Sequence, residues 1–178
     1  MDRIWRTCAR LTLALLAVPL LLGTLVANDP TIGDWARHAV PLPVDPEPPS
    51  FSEFLDLLAH NASAALGPVL AAALLPVLRV RCRRAFAVSV LLDVFFALSL
   101  TVNGVVLALA TASYGPTRVV AWMPHLPLEL GALSLSLSIY LAARRRTVAP
   151  GELLQTTIAL VMLLAAAAVV EAVSQPRI

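Results

Sequence analysis

The chain has 178 residues, of which 59% are hydrophobic and 13% charged, and its mean hydropathy is +0.83. So little polar surface cannot cover a water-soluble globule, and helices of about 20 residues joined by short loops use most of the length, leaving little for an extramembrane catalytic domain. The formal net charge is only +2, every basic residue is Arg, and the two cysteines, Cys8 and Cys82, form neither a disulfide framework nor a thiolate metal motif.

These features predict an all-α integral membrane bundle of about five transmembrane helices, a single domain over residues 1–178. The first apolar run, 8–27, follows Arg3, Arg6 and Arg10. A signal peptide has the same layout, but cleavage after Ala27 would place bulky Leu25 at the minus-three position, so a retained anchor is expected. Residues 28–56 read as an exterior loop rich in Pro and acid (Asp29, Asp34, Asp45, Glu47, Glu53, Asp56), whose run 41–49 must be extended. Within 51–60, Phe51, Phe54, Leu55 and Leu58 share one helical face. That spacing predicts an interfacial helix before the second span, a plain extension of the span being the alternative.

The second span, 62–80, contains Pro68 and Pro76 and should bend. Arg79, Arg81, Arg83 and Arg84 end it. The third span, 85–110, carries Asp93 and Asn103, and 113–122 turns the chain back. The fourth, 126–143, includes an alternating Leu-Ser run that imitates a strand, but a lone strand in hydrocarbon leaves its backbone unpaired, so helix is expected. Arg144, Arg145 and Arg146 close it, and 153–172 makes the fifth. This layout puts ten arginines inside and three (Arg37, Arg118, Arg177) outside, which sets the N-terminus in and the C-terminus out.

Buried ionisable groups carry the functional information, because a carboxylate at mid-span costs roughly 2.5–3.5 kcal/mol. His125 and Glu129 are four apart and share a helix face that Ser136 and Tyr140 continue; Ser89 with Asp93, and Ser99 with Asn103, are spaced alike. Gly104, Ala108 and Ala112 form a small-residue edge for a close helix neighbour, as do Gly67 and Ala71. Spans two, three and four are thus expected to form the core, with polar side chains bonded across it and Asp93 and Glu129 both nearer mid-membrane than either surface. His125 and Glu129 read first as a hydrogen-bonded pair fixing helix register, then as a partner-binding or transport feature. No metal site is assigned, because one would need a further ligand from His60, Asp93 or another chain. The arginine clusters read as anchors for anionic headgroups.

No nucleophile elbow, P-loop, dinucleotide fingerprint or His-Glu-x-x-His occurs, so no catalytic residue or cofactor is assigned, and the short Arg clusters beside the bilayer argue against nucleic acid.

Residues 123–130, Met-Pro-His-Leu-Pro-Leu-Glu-Leu, resemble the Pro-His-Gly-x-x-Glu-Leu signature of the stage II sporulation protein M family of bacterial membrane proteins. His60-Asn61 at the start of the second span and Asn103-Gly104 in the third resemble two weaker family features, with Leu126 replacing the family's Gly. The resemblance covers roughly 51–146 and implies a multi-pass protein of the bacterial cell membrane, a non-enzymatic scaffold or accessory subunit of an envelope complex. It implies membrane or envelope protein partners, an ABC transporter among them; a homo-oligomer stays open. His125, Glu129, Asn61 and Asn103 transfer as motif positions without assigned chemistry. The alternatives are a transporter component, for example in bacteriocin export, maturation or immunity, and more distantly an intramembrane metal-dependent hydrolase.

Overall fold

A computed structural model describes residues 2–39, 51–81 and 85–174, with backbone alone at 51–61, 79–81, 85, 122, 172 and 174. The described residues form helices joined by short turns: α1 (Asp2–Val26), α2 (Pro30–Ala39), α3 (Phe51–Arg81), α4 (Ala85–Tyr114), α5 (Pro116–Trp122), α6 (Leu126–Arg145) and α7 (Pro150–Ser174). Four of them, α1, α4, α6 and α7, are long and apolar enough to cross a membrane, and the apolar stretch Ala62–Leu78 of α3 is shorter. The all-helical expectation holds, and this is a membrane protein by the length and composition of its helices.

Prolines and their neighbours set many of the helix starts. Pro30, Pro116 and Pro150 each open a helix, where the missing N–H is not needed and the fixed φ suits the first turn. Before Pro30, the Asp29 carboxylate accepts from the backbone N–H of Thr31 at 2.9 Å, a side-chain cap. Before Pro116, Gly115 has φ +81°, a conformation that suits Gly and strains other residues. The loop expected over 28–56 is therefore corrected in part. Residues 30–39 fold as α2, because Asp29-Pro30 starts a helix and Gly33 and Ala36 bury one side of it next to α4. The Pro-rich run 41–49 lies outside the described residues. Phe51–Arg81 is one helix, so the extension reading fits the backbone, while the side chains that suggested an interfacial helix fall outside the description.

The bundle is built around α6, which packs against α1, α3 and α7. Its middle is buried nearly all round: Ala132, Leu135, Ile139 and Tyr140 meet Ile4 and Cys8 of α1, Ala65, Val69, Ala72 and Leu75 of α3, and Leu160 and Leu164 of α7. The expected core of spans two, three and four is thus corrected. The first and fifth spans belong to it, and α4 packs chiefly against α1 and α2. The small-residue edge of α4 is what admits them. A side chain at Gly23 of α1 would collide with the Ala108 carbonyl and Thr111; one at Gly104 would touch Pro19, and one at Gly33 the Ala112 carbonyl. With no hydrophobic driving force between helices in hydrocarbon, such backbone approach supplies the packing attraction.

Candidate functional site

Two polar centres occupy the two ends of α6. Where α6 finishes, Tyr140 Oη donates to Asp93 Oδ1 of α4 at 2.6 Å and Arg144 donates to Asp93 Oδ2 at 2.7 Å. The Tyr140 ring also meets Phe96 edge to face at 5.0 Å. Asp93 is thus repaid by a cation and a hydroxyl from a neighbouring helix, as an acid within a span requires. Arg144 stands in the last turn of α6, where the helix dipole favours a positive charge.

Where α6 begins, His125 takes the N-cap position and Glu129 lies in the first turn. Glu171, in the last turn of α7, comes beside them: one potential ligand atom from each of the three lies within 4.8 Å of the others. His125 is buried, and its Nδ1 is enclosed without a hydrogen-bond partner. One imidazole and two carboxylates are a donor set for a divalent cation.

The sequence expectations fare unevenly against this geometry. His125 and Glu129 do come together, but their companion is Glu171, which sequence reasoning did not single out. Asp93 does not join them, since about eleven residues of α6, roughly 16 Å, separate Glu129 from Tyr140, which holds Asp93. Asp93, on α4, thus lies beside the far end of α6 from Glu129, and Asp93 is no ligand partner for His125. The side chains of His60 and Asn61 lie outside the described residues, as do those of Arg79, Arg81 and Cys82–Arg84. In the second arginine cluster, Arg144 holds Asp93 and Arg146 makes two 2.7 Å bonds to Glu152 across the α6–α7 turn. These bonds hold the Arg146 guanidinium above its usual range. Two of the three expected headgroup anchors thus serve the bundle itself.

The serine stripe also behaves differently from expectation. Ser138 donates to the Ser134 carbonyl and Ser136 to the Leu133 carbonyl; Thr111, Ser113 and Thr156 likewise bond one turn back in their own helices. Hydroxyls in hydrocarbon take the nearest carbonyl, so they are satisfied without crossing the bundle. Ser134 Oγ is buried with no partner. Asn103 stands on the exposed side of α4, its Nδ2 donating to the Ser99 carbonyl at 2.8 Å.

Comparison of the chain with protein-family models, with curated proteins and with solved structures finds no match in any of the three.

Proposed function

We propose that this chain is a non-enzymatic scaffold or accessory subunit of a bacterial cell-membrane complex, akin to stage II sporulation protein M. It crosses five times, with its N-terminus in the cytoplasm. Beside α1, α4, α6 and α7, the remaining crossing is α3, whose 31 residues make a helix of about 46 Å, and the ten-to-three division of arginines supports the orientation.

The observation that carries the reading is Asn103. It lies about three residues from the middle of α4 and is exposed, with exposed Ser99 and Val106 one turn to either side. An amide offers two donors and an acceptor, and its bond to Ser99 uses one donor. The remainder faces hydrocarbon, where a hydrogen bond to a neighbouring transmembrane helix stabilises by about 1–2 kcal/mol in peptides. A helix from a partner subunit or a second copy supplies it. A transport path gains less support: the cavity of about 230 Å³ between α3, α4 and α6, lined by Ser63, Gly67, Phe96, Ser99 and Leu137 among others, includes neither Asp93 nor Glu129.

The test is the mass of the particle extracted from its native membrane in mild detergent, measured by light scattering. The wild type and Val102→Leu should run as one defined assembly heavier than the 18.9 kDa chain, and Asn103→Leu should release the single chain. A wild type that is already monomeric, or an assembly indifferent to Asn103→Leu, overturns the reading.

A further inference from the structure

We infer that His125, Glu129 and Glu171 bind one divalent transition-metal cation, of the zinc or cobalt kind, which clamps the start of α6 to the end of α7.

The helices run antiparallel, so the N-terminus of α6 stands beside the C-terminus of α7. Glu129 suits its place, because the first turn of a helix favours negative charge. Glu171 does not. It adds a carboxylate to the last turn of α7, which contains no basic residue and where exposed carbonyls already make the field negative. Two carboxylates beside a carbonyl-rich helix end form a concentration of acceptors that a cation relieves.

His125 points independently to the same ligand. It is 8% exposed, its side chain makes no cap hydrogen bond, and its enclosed Nδ1 has no partner. Leaving a buried polar group unmet is destabilising, which ligation by the imidazole answers. A register-fixing bond from the other ring nitrogen would still leave Nδ1 unmet.

The spacing allows closure. Three atoms no more than 4.8 Å apart leave a point within about 2.8 Å of all of them, so movements of about 0.7 Å reach the roughly 2.0–2.2 Å bonds of zinc to nitrogen and oxygen. Two flexible Glu side chains absorb that. Imidazole among the ligands favours a first-row transition metal over Mg²⁺ or Ca²⁺, which prefer all-oxygen shells. The three ligands leave a fourth position for water. The site is separate from Asn103, so either can fail without the other.

The experiment titrates the chelator-stripped, detergent-purified full chain with Co²⁺ and follows visible absorption. The wild type should take up about one equivalent with nitrogen- and oxygen-ligand bands. Glu171→Gln and His125→Gln, with helical circular dichroism retained, should bind at least about tenfold more weakly, and Glu152→Gln should bind as the wild type does. No uptake by the wild type, or equal uptake by both ligand variants, overturns the site. Should both variants lose helicity, competition on the wild type decides: Zn²⁺ must displace Co²⁺, and displacement by equimolar Mg²⁺ refutes imidazole ligation.

Discussion

Removing Arg144 tests whether the Asp93 centre holds α4 to the bundle. Arg144 and Tyr140 stand one turn apart on α6 and converge on the two oxygens of one carboxylate, at 2.7 and 2.6 Å. The Arg144 side chain is 26% exposed and that of Asp93 39%. A fully exposed ion pair contributes roughly 0–1 kcal/mol, and breaking a buried one costs about 3–5 kcal/mol. At this intermediate exposure, Arg144→Gln should cost about 1–3 kcal/mol, and Tyr140→Phe about 1.5 kcal/mol as one bond to a charged acceptor. The informative quantity is the coupling from the double-mutant cycle of Arg144→Gln with Asp93→Asn. Neutral bonds between membrane helices average about 0.6 kcal/mol in such cycles, so a charged pair should exceed about 1 kcal/mol. Reversible unfolding by steric trapping in bicelles gives the four free energies. A coupling below about 0.3 kcal/mol, the usual scatter for independent sites, would refute the claim that this pair joins α4 to α6.

Two further outcomes follow from packing. Gly23→Leu puts a side chain where the Ala108 carbonyl and Thr111 already stand, so it should destabilise by about 1–3 kcal/mol and weaken a cysteine crosslink engineered between α1 and α4, whereas Leu22→Ala on the exposed side should leave that crosslink intact. Ser134→Ala removes a buried hydroxyl without a partner and spares the Ser134 carbonyl that Ser138 uses. It should raise the unfolding midpoint, by about 1 kcal/mol of stability, and a lowered midpoint would show that the hydroxyl has a partner.

How far the fold was legible depended on which residues differ between a lipid-facing and a helix-facing surface. Long apolar runs announce helices, but Leu, Val and Phe suit lipid tails and a protein neighbour equally well. Hence α4, the most apolar of the middle segments, turned out to expose Phe86, Leu91, Val94, Phe95 and Leu98, although it was expected at the centre. Small residues do discriminate, because only they let backbones meet: Gly104, Ala108 and Ala112 marked the contact edge correctly. They could not name the partner, which is α1 and α2. Helix α2 was hidden by averaging, since its Asp-Pro start signal lay in a segment whose overall Pro and acid content spoke for a loop.

The polar sites were legible as residues and illegible as groupings. Helical spacing put His125 with Glu129, but no local pattern links either to position 171. Hairpin arithmetic would have done so. Two antiparallel helices joined by a short turn bring together residues equally far from that turn, and residues 125 and 171 each lie 23 positions from residue 148 in the α6–α7 connection. Glu171 is also the acidic residue that ends a long uncharged run beginning after Glu152. The same arithmetic places the Arg146–Glu152 pair at the turn itself, where each charge reaches the other without entering the apolar core. Charges near a hairpin's turn can therefore fasten it, while charges at its open end need either each other or an outside ion. Having two acids and a histidine at the open end, and arginines at the closed one, is what makes the two ends of α6 chemically unlike.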